Sequence, residues 1–353
     1  MTIQFDLTCW YLNARRIAEL VGMEVVTGNR VPVSDQFQRL ADLDALRRSI
    51  VQWIASNAPQ PIEKLFVEEK LREGCIITLH TNFFFKGLTK FAGGDNSRAA
   101  TLPSAYAKLD YLKDGLKLTF DLHPEHLTST SAWATLSGQK RMFLLAVVTD
   151  VTNNEIKAKP YTIANIVEHR GVLASGEQWL NHLEVHVDQI DSFALVQNEP
   201  RARTKKALDV LKTIPEQDVK EAFADIIGEA IVPKDWGGEK SDLFSSGLKL
   251  NGKRRSTAFA FKGPAKFRPM TMAELGKNGD QINRLYEEPA DLLVLQHCHE
   301  ITPPVRRMMR AFAQQMGNPR NFCVIDGFDT LRLLAAYSKC GLTPKGQGAA
   351  GKQ

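Results

Sequence analysis

The chain has little cysteine and no way to spend it: five residues in 353, Cys9, Cys75, Cys298, Cys323 and Cys340, odd in number, scattered, and never in a CxxC pair. That spacing excludes a disulfide framework and a compact zinc knuckle and suggests reduced thiols in a cytosolic protein. No run of about 18 apolar residues occurs, which argues against a transmembrane helix. The first ten residues, MTIQFDLTCW, lack both a basic stretch and a long apolar one, so a secretory leader is not expected. No GxxxxGK[ST] follows the Gly93-Gly94-Asp95-Asn96 loop, and no GxSxG occurs, which argues against a phosphate loop and a serine-hydrolase elbow. The adjacent His297, Cys298 and His299 would alternate across a strand, a poor arrangement for one metal ion.

What is present is ordinary for a soluble globular chain: 43% hydrophobic and 24% charged residues, long enough for two domains. The net charge of +5 is modest but uneven. Between Trp236 and Cys340 there are sixteen Lys or Arg against ten Asp or Glu, enough to carry the whole positive balance. A concentrated basic surplus favours a phosphate-bearing partner.

Hydrophobic periodicity predicts helices over about Trp10 to Val21 and Gln36 to Ser56, the second ended by Ala58-Pro59-Gln60-Pro61. From there to about residue 198 the chain reads as mainly antiparallel β: strands near Cys75–Phe85, Leu116–Leu122, Arg141–Asp150, Glu155–Ile163 and His182–Val196, with Pro160 pointing to a sheet edge. The segment Asn198–Thr213 is basic and reads as a junction. This sets an N-terminal domain, residues 1–200, for recognition or sensing, a second domain, residues 201–340, and a disordered Gly-, Lys- and Ala-rich tail, residues 341–353.

The second domain orders its elements as helix, two or three strands, helix, strand, helix, strand, helix. Pro215 and Glu216 start the first helix, Asn251-Gly252 turns a hairpin, and Thr271 with Glu274 forms a capping box. The order predicts an α/β unit with a mixed sheet flanked by helices. At its centre is the stretch Trp236–Gly263, with acids Glu239 and Asp242 before the hairpin and Lys262 ending a strand in which Phe259 and Phe261 share one face and Ala258, Ala260 and Lys262 the other.

Acid, hairpin and strand-borne lysine in that order resemble the PD-(D/E)xK nuclease-like superfamily, most closely its Mrr-like and Holliday-resolvase-like branches, over about residues 213–340. The resemblance implies a restriction-endonuclease-like fold and a Mg²⁺- or Mn²⁺-dependent DNA endonuclease, in the setting of restriction or anti-phage defence. It assigns metal binding to Asp242, the attacking water to Lys262 and its positioning to Gln296. A helix-end acid, Glu221 or Glu229, assists. Ala260 stands where the family has its second carboxylate, and Glu239, Glu274 or Asp280 could supply the displaced acid. Lys253, Arg254, Arg255, Lys266 and Arg268 would follow a DNA backbone, and a helix carrying Arg306, Arg307 and Arg310 could add to them. The implied partners are DNA, a second copy of the chain and a protein reached through the N-terminal domain, with no membrane. The alternative set by Ala260 is a DNA-binding module without cleavage, or a scaffold whose basic face meets an acidic protein.

Overall fold

A computed structural model describes residues 4–22, 36–88, 102–170, 173–176, 183–230, 232, 240–315 and 318–344. The chain is mixed α/β and divides into two compact units, Met1–Asn181 with Gln315–Asn318 and His182–Gln314 with Pro319–Gln353. None of the described helices is long and apolar enough to cross a membrane, and all five cysteines are free. The Gly93–Asn96 loop and the tail beyond residue 344 lie outside the described residues.

The first unit opens with strand β1 (Gln4–Leu12) and helix α1 (Ala14–Val21), then α2 (Gln36–Asn57) and α3 (Ile62–Val67). The sequence pattern starts the first helix at Trp10; it starts four residues later, because Asn13 caps it by accepting the Arg16 amide at 3.2 Å. Strands β2 (Ile76–Lys86), β3 (Ser104–Lys108), β4 (Lys117–Asp121), β5 (Gly138–Val151) and β6 (Glu155–Arg170) follow, with the short α4 (Thr130–Thr135) before β5 and β7 (Leu173–Gly176) last. Their order is β6-β4-β3-β2-β5, and β5 pairs back onto β6, so five strands close into a barrel. All neighbours in the ring are antiparallel except β4 and β6. Alternation fills it: Phe83, Phe85, Ala105, Ala107, Leu118, Phe120 and Ile156 point inward and are buried.

Strand β6 is no edge. It pairs with β4 over Glu155–Lys157, with β1 over Thr162–His169, and with β5 along the other side. Pro160 is tolerated because it sits between the β4 and β1 pairings, beside a register shift against β5.

The second unit does not begin with a strand. Val187–Gln189, Asp191–Asn198 and Lys205–Thr213 are 3-10 helices. Val187, Ile190, Phe193 and Val196 are buried at every third residue, the period of that helix and not of a strand. Then come α5 (Glu216–Ile227), β8 (Leu243–Ser245), the hairpin β9 (Lys249–Leu250) and β10 (Lys253–Arg254), and β11 (Thr257–Lys262). The remainder is α6 (Asp280–Tyr286), β12 (Leu292–His297), α7 (Pro303–Ala313), β13 (Asn321–Ile325) and α8 (Gly327–Ala336). The main sheet runs β13-β12-β11-β8, parallel throughout except for antiparallel β8. Phe259 and Phe261 are fully buried against Phe223 of α5, at ring-centroid distances of 6.4 and 5.4 Å. Burial of each phenylalanine contributes about 2–3 kcal/mol. The hairpin turns at Asn251 and Gly252, with φ of 54° and 71°, and Gly252 donates to Asp191 at 2.7 Å.

The capping box holds the crossover from β11 to α6. Glu274 accepts from the Thr271 amide at 2.8 Å and is bound by the Thr271 hydroxyl and Arg268. Although partial burial opposes ionisation, these donors hold its carboxyl down at about 2. A depressed carboxylate stabilises the fold fully above its unfolded value, 4.5, and loses that contribution as pH falls toward 2. Urea midpoints of wild type should therefore fall between about pH 4.5 and 2 by more than those of Glu274→Gln; parallel profiles would show that the box contributes nothing.

Candidate functional site

The site is built at the carboxyl end of β11, where three neighbouring backbone positions are each claimed by a polar side chain. Strand β8 stops pairing at Leu243–Phe259, so the next two amides on that edge, Phe261 and Gly263, have no ladder partner on that side. Asp242, just before β8, accepts the Phe261 amide at 2.6 Å. Glu216, in the first turn of α5, accepts the Gly263 amide. The two captured amides are two residues apart, about 7 Å along a strand. Between them, Lys262 leaves the opposite face, half-buried, and no partner for its ammonium is found among the described residues.

Helix α5 can come this close only because residue 263 is glycine. A Cβ there would lie 2.5 Å from the Glu216 Cβ and 3.2 Å from its Cα. Gly327 repeats the device at the start of α8, where a Cβ would meet the Cys298 carbonyl oxygen at 2.5 Å. The carboxyl ends of the parallel strands therefore face the first turns of two helices, the place where open α/β sheets bind ligands.

Lys220 lies one turn after Glu216 and is 1% exposed. Glu216, Lys220, Phe223 and Ile227 recur at helical spacing along the stripe that faces the sheet. An acid and a lysine on an apolar stripe are the signal that would have brought Glu216 forward from the sequence. Glu221 is on the exposed side, hydrogen-bonded to Gln217 at 2.8 Å. Glu229 follows the left-handed cap at Gly228, the length of α5, about 18 Å, from Glu216. The fold therefore does not bring it to Asp242 and Lys262. Glu239 lies outside the described residues.

Gln296 pairs with Phe261 in register and so faces α5 and α8, the side opposite Lys262. It is 1% exposed and donates to Thr330 Oγ1 at 2.9 Å, which binds the His297 carbonyl at 3.3 Å. This is a bracing position, not one that reaches a water beside Lys262. His297, on the Lys262 side, has Nδ1 3.1 Å from the Lys262 carbonyl and Nε2 2.9 Å from the Arg268 carbonyl. Both nitrogens are occupied, which removes it as a metal ligand. Burial pushes the Cys298 thiol up to about 11, with Glu216 adding to the effect, so it is no ready nucleophile.

The basic residues separate into two groups. Lys253 and Arg254 are exposed on the hairpin and Arg255 follows half-buried, all at the amino end of β11. Six residues of strand, about 20 Å, lie between them and Lys262. Lys266 and Arg268 are exposed at the Lys262 end, where Arg268 is held by Glu274. Of the helical arginines, Arg306 and Arg310 both bind Glu184, at 3.1 and 2.7 Å. Glu274 serves as a cap, and Asp280 pairs with Arg284 at 3.0 Å, so neither fills the position left by Ala260.

Among the described residues no group of three His, Cys, Asp or Glu side chains is placed to hold a metal ion. Two carboxylates remain, Asp242 and Glu216, both oxygen donors. This fits Mg²⁺, which keeps several waters and is often held by one or two carboxylates plus substrate phosphate. No family model, curated protein or solved structure matches the chain.

Asparagine and glutamine keep the carbonyl acceptor while losing the charge. Asp242→Asn should therefore unfold closer to the wild-type denaturant midpoint than Asp242→Ala, whereas Glu216→Gln also strips a charge one helical turn from the enclosed Lys220 and should cost more. Asp242→Ala, which abandons a half-buried amide, should lose about 1–3 kcal/mol. Gly263→Ala should lose about as much through overpacking. Chemical denaturation of the four variants checks this; an Asp242→Asn as unstable as Asp242→Ala would mean that the charge itself holds the strand end.

Proposed function

We propose that the second unit is the hydrolytic centre of a Mg²⁺-dependent DNA endonuclease, built on a variant of the restriction-endonuclease-like core. The observation that carries this reading is that Asp242 and Glu216 close alternate amides, Phe261 and Gly263, of the strand end that carries Lys262. Glu216 approaches from the opening helix and stands in for the carboxylate missing at Ala260. Mn²⁺ would suit the same oxygen donors.

Asp242 and Glu216 would hold the ion, directly or through its waters, and the ion would supply charge neutralisation and a hydroxide near neutral pH. Lys262 then has a simple task. An ammonium at the strand end stabilises the charge that builds on a phosphodiester, or holds the attacking oxygen by a charge-assisted hydrogen bond. Asp242 and Glu216 stay fixed because each already accepts a backbone amide, so little reorganisation accompanies the reaction. Gln296, through Thr330, braces β12 against α8 and acts as a positioning residue. Lys266 and Arg268 lie at the correct end to meet a DNA backbone; Lys253, Arg254 and Arg255 would contact a different stretch of it.

Ala260, 1% exposed and aligned with Leu295 of β12, favours a second reading: a DNA-binding module that does not cut. Supercoiled plasmid in Mg²⁺ separates the two. Wild type should nick, and Asp242→Asn, Glu216→Gln and Lys262→Ala should each lose about a hundredfold or more of the rate, the scale of a removed electrostatic stabiliser. Equal nicking by all four proteins would remove this site. Salt-sensitive DNA binding with no nicking in Mg²⁺ or Mn²⁺ would establish the binding module.

A further inference from the structure

A groove of about 810 Å³ in the first unit is lined by residues of β3, β4 and β6 together with Asn13 and Arg16. It follows the part of β6 left bare between its pairings with β4 and β1. Register places Phe84, Tyr106, Thr119 and Lys157 in one outward row across β2, β3, β4 and β6. Phe84 and Tyr106 are half-exposed and stacked, centroids 4.9 Å apart with planes 12° from parallel. Lys86, also from the β2 side, lies 5.0 Å from the Tyr106 centroid. Phe84 backs one face of Tyr106 and Lys86 lies over the ring; next in the row, on the side away from Phe84, come the small Thr119 and then Lys157.

Two strand spacings, about 10 Å, separate Tyr106 from Lys157 with only Thr119 between them in the row, so a flat ring laid over Thr119 would have an aromatic on one side and an ammonium on the other. Around it are five Lys or Arg side chains, Arg16, Lys86, Lys117, Lys157 and Lys159, against two carboxylates, Asp121 and Glu155. Glu155 is already engaged by Thr119 at 3.0 Å and Lys117 at 3.9 Å. Lys157 meets Asp150 at 3.7 Å with its side chain 55% exposed, a pairing that exchanges at little cost.

We infer that this groove binds single-stranded DNA, with a base stacked on Tyr106 over Thr119 and the phosphates following Lys86, Lys157 and Lys159. A π-face flanked by cations recognises an unstacked base and a polyanion together; a duplex keeps its bases stacked and could offer only phosphates. Five-stranded Greek-key barrels bind oligonucleotides across the equivalent strands, so the occupant suits the architecture as well as the charge. The preference for DNA over RNA rests on the nuclease reading of the second unit; the groove itself does not.

Fluorescence anisotropy of the full chain with labelled oligothymidylate of about 15 nucleotides, in EDTA so that cleavage plays no part, tests the inference. Binding should weaken with salt. Tyr106→Ala should weaken it about tenfold or more and Tyr106→Phe should leave it intact, since stacking needs the ring and not the hydroxyl. The exposed Lys157→Glu and Lys159→Glu, which do not disturb the barrel interior, should each lower the affinity and reduce the salt slope by about 0.7 or more. Absence of binding at low salt, tighter binding of oligouridylate or of duplex, or binding indifferent to the lysine reversals and to Tyr106→Ala would overturn it. Because the readout is metal-free binding, a failure here leaves the nicking result standing, and the converse holds.

Discussion

The second unit depends on the capture by carboxylates of two amides at the carboxyl end of β11. Where β8 ends, the strand would present bare N–H groups to its neighbours, and a buried unpaired amide costs as much as the hydrogen bond it lacks. Asp242 closes the Phe261 position and Glu216 closes Gly263. The second contact also seats α5 on the sheet, because the Glu216 backbone and side chain occupy the volume a Cβ at residue 263 would need. With α5 seated, Phe223 meets Phe259 and Phe261, and the core follows. One polar contact and one glycine therefore set the helix position, the burial of Lys220 and the surroundings of Lys262.

The same end of the sheet carries a second charged layer. Asp326 caps α8 through the Phe328 and Asp329 amides, at 3.0 and 3.1 Å, and binds Arg201 at 2.7 Å. Asp329 is held by Arg332 at 3.0 Å, yet burial, with the Asp326 charge beside it, keeps its carboxyl above the usual range. The layer ties the 3-10 segments to α8, since Arg332 also binds Asp188 at 2.7 Å. It uses up cations that composition alone would assign to DNA. A basic surplus counted along the chain overstates the charge a ligand meets, because Arg201, Arg306, Arg310 and Arg332 are all paired internally.

Local chemistry was legible in the sequence. Asn251-Gly252 demands a tight turn, Thr271 and Glu274 a cap, and the alternation of β11 alone separates Lys262 from Phe261. Asp242 reaches the backbone of the strand end that carries Lys262 because both flank one hairpin. What escaped was set by distant partners or by an unfamiliar period. Pro160 looked like an edge marker because sequence shows the missing donor and not the gap between β4 and β1 that makes it harmless. The stretch from Val187 to Val196 looked alternating at its start, but its period is three. Closure of the barrel through β5 and β6 has no local signature. Glu216 was hidden by its neighbour Pro215, which marked it as a helix start, while its place on the buried stripe needed the whole of α5 to be counted.

The two halves show opposite ways of treating a cation. In the second unit Lys220 is enclosed and Arg201, Arg306, Arg310 and Arg332 are held by carboxylates, so Lys262, half-buried at the strand end, stands out by position and not by number. In the first unit Lys86, Lys157 and Lys159 stay exposed on strands whose inward neighbours fill the barrel. Alternation alone produces this: Ala158 must point inward, so Lys157 and Lys159 must point out, Lys157 at the end of the β4 pairing and Lys159 on the bare stretch of β6. A row of cations there needs no stabilising partner in the fold and contributes nothing to the core. Its conspicuous physical property is attraction for a flexible polyanion, and Tyr106 beside it supplies the aromatic face that simple charge does not.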